Sequence, residues 1–163
     1  MSNLERHWPV ASMGPIARAG ALAVSIPGAV WVEGMLDAPY DVVWPWVADL
    51  ETSVPRFDAQ VRKLRVLERR AEDGAERLRI TATTFVVPVP FTVRLEDGFC
   101  LMRARARLYV VLMAAEPDDT GTRTRFFHLE AVPLPGARLL QGRLRREVAA
   151  DLRNLARLAA QGF

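Results

Sequence analysis

Leu140–Ala160 reads LQGRLRREVAADLRNLARLAA, and its periodicity decides what the rest of the chain has to do. Leu140, Leu144, Val148, Leu152, Leu155 and Leu158 recur at helical spacing and form one apolar stripe, while Arg143, Arg146, Arg153 and Arg157 fall mostly off it. The pattern predicts an amphipathic C-terminal helix of about 25 residues, set off by Pro133 and Pro135-Gly136. A single helix with one apolar face must bury that face, and the preceding sequence supplies a sheet for it.

From Gln60 to Val132 the pattern is of strands separated by turns. Val61–Arg69 is followed by Glu72-Asp73-Gly74, and Glu76–Val87 by a Pro88/Pro90 break. Phe91–Glu96 leads into the hairpin signal Asp97-Gly98, then come Phe99–Arg107, Leu108–Glu116, the turn Asp118–Gly121 and Thr122–Val132. No turn signal separates Arg107 from Leu108, so that stretch reads as two strands around a bulge or one long bent strand. Upstream, Ala29–Leu36 (AVWVEGML) is a first strand. Asp37-Ala38-Pro39 opens a helix over Tyr40–Leu50, in which Pro45 predicts a kink or a delayed start. Ser53–Phe57 is a further helical turn or loop.

At 163 residues, half apolar and a quarter charged, the chain fits one domain, here taken as 29–163, preceded by an arm over 1–28 with no sustained period. A domain of this size buries roughly 70% of its unfolded surface and has room for a hollow. Cys100 is the sole cysteine, which excludes an internal disulfide, a CxxC redox pair and a cysteine zinc cluster. His7 and His128 are far apart, so no metal site is expected. Neither a glycine-rich dinucleotide loop nor a P-loop occurs, and no cofactor is implied. No apolar stretch reaches the roughly 20 residues of a membrane span, and Ala19–Ile26 makes a poor signal peptide; the expected location is cytoplasmic.

Strand, two short helices, six strands and a long terminal helix is the order of the helix-grip fold, an α+β architecture in which a curved antiparallel sheet of six to seven strands wraps the last helix. Ala38-Pro39, Val43-Trp44, Ala48-Asp49-Leu50-Glu51, Pro55-Arg56-Phe57 and Gly121-Thr122-Arg123 resemble the signature positions of the START-like (SRPBCC) superfamily, in particular its polyketide cyclase/dehydrase branch. The resemblance spans about residues 29–160. It implies a cavity between sheet and helix, with Trp44 beneath the sheet, Asp49 at the helix junction and Gly121 at positive φ in a hairpin. None of these is a catalytic residue that carries over. Pro45 and the N-terminal arm depart from the family pattern at what would be the cavity mouth.

Strand alternation assigns the cavity face. Leu78, Ile80, Ala82 and Thr84 point in against Arg77 and Arg79; Cys100, Met102, Ala104 and Ala106 point in against Arg103, Arg105 and Arg107. Placing the Gly-Thr-Arg turn as in the family turns Thr124, Phe126, His128 and Glu130 inward, with Arg123 and Arg125 outside. By the same analogy Tyr109, Val111 and Met113 face in. Leu108, Val110 and Leu112 then need a cover, either the N-terminal arm or a second copy of the chain in a homodimer.

His128 and Glu130, two apart on one strand, leave the same face, so the carboxylate can orient the imidazole and favour its protonated form. With Tyr109 as hydroxyl donor they form the candidate catalytic set. The same pair also reads as a satisfied polar pair within a barrel. Phe57, Ile80, Thr84, Met102 and Met113, with Thr124, Phe126, Leu144 and Val148, are the candidate substrate-binding residues. Trp31, Trp44, Trp46 and Phe57 either line an aromatic wall or pack the core. Cys100 reads as a small core residue.

The implied activity is binding of a hydrophobic, polyketide-like molecule and its cyclisation or dehydration by acid/base catalysis and conformational templating. The alternative is a non-catalytic carrier or sensor of a lipid-like or other apolar ligand. A net charge of +3 and the outward arginines 77, 79, 103, 105, 107, 123 and 125 also raise an interaction surface, for which an acyl carrier protein suits the resemblance. Of the 22 basic residues only Lys63 is lysine, and aromatics are sparse on that face, which argues against nucleic acid.

Overall fold

The computed structural model describes residues 13–84, 87–105 and 108–163. Seven strands form one antiparallel sheet: β1 (Val30–Leu36), β2 (Val61–Glu72), β3 (Ala75–Thr84), β4 (Val87–Glu96), β5 (Phe99–Ala104), β6 (Val110–Pro117) and β7 (Thr124–Ala131). Their order is β1-β7-β6-β5-β4-β3-β2, so the first strand closes beside the last and every later neighbour is a sequential hairpin. Four helices accompany them: α1 (Pro15–Ser25), α2 (Tyr40–Ala48), α3 (Leu50–Phe57) and α4 (Gln141–Ala160). The architecture is the helix-grip fold that the element order implies.

On α4, Leu144, Val148, Leu155 and Leu158 are buried, as the stripe requires; Leu140 falls in a preceding 3-10 turn, Ala137–Leu140. Side-chain alternation holds on β3, β5, β6 and β7, whereas β2 shifts register between Val61 and Lys63 and between Val66 and Glu68. Ile80, Ala82, Met102, Val111, Met113 and Phe126 join the core that faces α4, while Phe99, Leu101, Leu112, Phe127 and Leu129 join a second core on the other face. Trp44 lies in the inner core and Gly121 has φ +71° in its hairpin.

Four readings of the sequence change. The arm contains a regular helix: α1 lays Ile16, Ala19 and Ala23 on the second core and so covers Val110 and Leu112, whereas Leu108 remains exposed. Its apolar face is built mainly of alanines, which contribute little contrast to a hydrophobic periodicity. Residues 1–12, His7 among them, lie outside the described residues.

Pro88 and Pro90 do not break the sheet but sit inside β4, opposite Thr83 and Thr81 of β3. Pairing with β5 begins only at Phe91, so the prolines occupy a stretch with one free edge, where a missing N–H costs no ladder bond. Residues 99–117 form neither a bulged strand nor a bent one: β5 and β6 are a hairpin, pairing Phe99–Arg103 with Val110–Ala114 and closed by Ala104 N–H donating to Tyr109 O at 2.9 Å. Arg107 and Ala106, in that connection, are outside the described residues. Pro45 lies within α2 and delays nothing; the helix starts at Tyr40 after Pro39, and Asp37 is not its cap.

Candidate functional site

The α3–β2, β3–β4, β5–β6 and β7–α4 connections all fall at one end of the sheet, which antiparallel pairing dictates. At that end a hollow of about 380 Å³ opens between the inner face and the start of α4. At the opposite end α2 and the C-terminal half of α4 fill the curve, with Val43, Trp44, Val47, Leu155 and Leu158 buried. The cavity therefore occupies one end of the sheet's inner face.

That division sorts the expected lining residues. Ile80, Thr84, Met102 and Leu144 border the hollow, as does Tyr109. Met113, Phe126 and Val148 do not, although all three are buried. Thr124 lies further down still, donating its hydroxyl to Ala38 O at 2.8 Å. Phe57 is buried between Trp46 and His128, its ring perpendicular to the imidazole at 6.2 Å. The aromatic wall does not assemble: Trp46 stacks on Phe163 and Trp31 lies on the outer face, paired across from Leu129.

His128 and Glu130 face the α4 side but do not reach the lumen, at 2% and 1% exposure. A third group stands with them, Asp151 of α4, 3% exposed. His128 Nε2 is 3.5 Å from Asp151 Oδ2 and 3.6 Å from Glu130 Oε1, charge contacts longer than hydrogen bonds. Neither ring nitrogen has a hydrogen-bond partner among the described residues. Burial pulls the imidazole pKa down, but the two carboxylates outweigh it and raise it to about 9, so His128 is the cation of the trio. The three donor atoms lie within 4.8 Å of one another, which is also the spacing of a divalent-ion site; a protonated imidazole and a metal ion are alternative ways to balance two buried carboxylates.

Tyr109 connects this cluster to the hollow. Its hydroxyl donates to Glu130 Oε2 at 2.6 Å while the ring borders the lumen. Burial and the Glu130 charge push its pKa far up, so it stays a neutral phenol.

Asp58, to which no sequence motif points, is a further acidic group at this end. It follows the last residue of α3, borders the lumen, and accepts the Gln60 N–H on Oδ1 at 2.8 Å. Burial, reinforced by the charges of Asp151 and Glu130, raises its carboxyl to about 7. The available signal was weak: a carboxylate placed directly after Val54-Pro55-Arg56-Phe57, where the chain enters a strand. Glu147 and Arg143 of α4 complete the rim as a 2.5 Å pair. Cys100 is fully buried and its thiol is pushed up to about 12, which removes it as a nucleophile.

Four of the outward arginines stand beside carboxylates. Arg77 pairs with Glu72 at 3.1 Å, Arg79 with Glu68 at 2.9 Å and Arg123 with Asp118 at 3.3 Å, while Arg125 stands 3.8 Å from both Glu33 and Glu116. Among the described residues no helix is long and apolar enough to cross a membrane.

No family model matches the chain. No curated protein matches it by sequence either. Solved structures do match. An aromatase/cyclase, Zhui, from a Streptomyces species superposes with a TM-score of 0.60 at 19% identity, over 82% of this chain and 93% of that one. A Thermus thermophilus protein gives 0.58 at 19% identity over 82% and 97%, and a Bacillus halodurans protein 0.61 at 16% over 82% and 98%. With the strand order, the buried terminal helix and the hollow beside it, these likenesses establish that the chain has the helix-grip fold it shares with these structures.

Proposed function

We propose that the protein binds an apolar, polyketide-like small molecule in the hollow beneath α4 and promotes its cyclisation or dehydration by relayed proton transfer. The observation that carries this reading is the Tyr109–Glu130 hydrogen bond, which joins a lumen hydroxyl to a buried charged cluster. The aromatase/cyclase among the structural neighbours is in keeping with it.

The relay follows from the donor direction. Tyr109 gives its proton to Glu130, so its oxygen lone pairs are free to accept one from the guest. As an acidic methylene proton of a β-hydroxy ketone moves to the Tyr109 oxygen, the phenolic proton moves to Glu130, and an enolate remains. Expulsion of the β-hydroxyl takes the same proton back along the same path and releases water, leaving an enone and restoring both residues. His128 and Asp151 are positioning residues here: the imidazolium holds the Glu130 carboxylate in place, and Asp151 holds the imidazolium. The apolar wall of Ile80, Ala82, Val89, Phe91 and Met102 folds the guest and excludes water.

The complete burial of His128 favours a second reading, a carrier in which the cluster is structural. Deuterium exchange at the central methylene of 1-phenylbutane-1,3-dione separates the two. Catalysis predicts acceleration by the wild type and a loss of about tenfold or more in Tyr109→Phe, with affinity held within about threefold. Binding without acceleration leaves the carrier, and absence of binding rejects both.

A further inference from the structure

We propose that the hollow selects a guest whose polar end is a basic nitrogen, an apolar amine, with the Asp58 carboxylate as its counterion. The inference goes beyond the reaction proposed above and rests only on the reading of this hollow as a ligand site.

Three charged side chains border the lumen: Asp58, Glu147 and Arg143. Arg143 and Glu147 are bonded to each other, which leaves the Asp58 carboxyl as the group without a charge partner at the wall. Behind it stand two further carboxylates, Glu130 and Asp151, and a single cation, His128. With Asp58 ionised the site carries excess negative charge in a mostly apolar enclosure, where charges are screened far less than in water. A carboxylate or phosphate at the polar end of a guest meets repulsion there. A neutral hydroxyl meets only hydrogen-bond partners, whereas an ammonium removes the imbalance.

The groups facing Asp58 support this assignment. They are Glu130 and His128 of β7, Asp151 of α4 and Tyr109 ahead of β6, with Arg143 and Glu147 of α4 across the lumen. Burial and the negative neighbours keep the Asp58 proton on to about pH 7, while His128 holds its own to about pH 9. An arylmethylamine stays protonated throughout that interval. Its affinity therefore rises with pH as Asp58 ionises, and binding releases a proton.

Three probes with one ring system test the point: 2-naphthylmethylamine, 2-naphthalenemethanol and 2-naphthoate, titrated by their own fluorescence against the full chain. At about pH 8 the amine binds roughly tenfold or more tighter than the alcohol, and the naphthoate roughly tenfold or more weaker. The amine's advantage narrows at about pH 6 and falls to about twofold or less in Asp58→Asn, while Asp58→Glu keeps it. Equal affinity for amine and alcohol, or tightest binding of the naphthoate, overturns the proposal while leaving the ligand site standing. Failure of all three to bind overturns both. The wild-type comparison stands whether or not the variants fold.

Discussion

The Tyr109 hydroxyl and the Glu130 carboxylate, 21 residues apart, meet at 2.6 Å across the β6–β7 pair, where Val111 stands opposite Glu130. Among the described residues Glu130 Oε2 has no other donor, and Glu130 is 1% exposed. Tyr109→Phe removes the donor and leaves a buried charged oxygen unsatisfied, which costs about 2 kcal/mol or more of stability. Urea unfolding at neutral pH reads that loss. An unchanged midpoint would mean that the hydroxyl contributes nothing to holding the cluster.

The pH dependence of stability has a definite sign. Asp58 has a folded pKa of about 7 against about 3.9 unfolded, so its contribution is complete below about pH 4 and is lost as pH rises to about 7. Asp151, raised chiefly by burial, acts in the same direction. His128, raised to about 9, adds a contribution present below about pH 6.5 and lost as pH rises through about 9. Surface carboxylates such as Glu96, where Arg94 and Arg18 outweigh burial, oppose this trend at the acid end. The measurement is therefore the difference between wild type and Asp58→Asn: the variant gains up to about 3 kcal/mol relative to wild type between about pH 4 and pH 7. A flat difference curve would refute the assignment. A large shift of either midpoint on adding a chelator would identify a metal ion as the counterion in place of the His128 proton.

The architecture was legible because its signals are long: five stripe residues from Leu144 to Leu158 within α4, and arginines alternating with apolar residues on β3 and β5. Where alternation was interrupted, neighbours decided. The free edge beside Pro88 and Pro90 exists only because β5 is short, which the two prolines themselves do not reveal. His128, Glu130 and Tyr109 were placed on the correct face, yet the depth of each along its strand depends on how far α2 and α3 fill the curve. Asp151 and Asp58 were missed for a related reason. Asp151 sits beside the leucine stripe and reads as a flank residue until β7 is placed against it, and Asp58 lies in a connection with no period.

Gly98 is predicted to tolerate no side chain. It has φ +69° in the β4–β5 hairpin, and a Cβ there would lie 2.7 Å from the Ala115 carbonyl oxygen and 2.8 Å from Pro15 Cγ. Backbone oxygen cannot yield as a side-chain tip can, so Gly98→Ala costs about 3 kcal/mol or more and loosens the start of α1. Gly34→Ala is the control: its Cβ meets Leu152 Cδ2 at 2.7 Å, a flexible methyl, at a cost of about 1 kcal/mol. Equal thermal midpoints for the two variants would contradict this ranking.

The outer face and the cavity are separable because different residues build them. Ala19 of α1 is fully buried against the core of Phe99, Leu112, Phe127 and Leu129, and α1 is tied down by Arg18, which bonds Glu96 at 2.7 Å and lies 3.6 Å over the Phe99 ring. Ala19→Asp places an unpaired carboxylate in that contact, and detaching an 11-residue helix costs less than burying the charge. The variant is expected to expose the apolar face of β5–β7, bind a hydrophobic dye and self-associate on gel filtration. None of the residues bordering the hollow belongs to α1, so naphthalene-probe affinity stays within about threefold of wild type. Loss of probe binding in step with dye binding would show that the two faces of the sheet are mechanically coupled, and α1 would then be part of the ligand site.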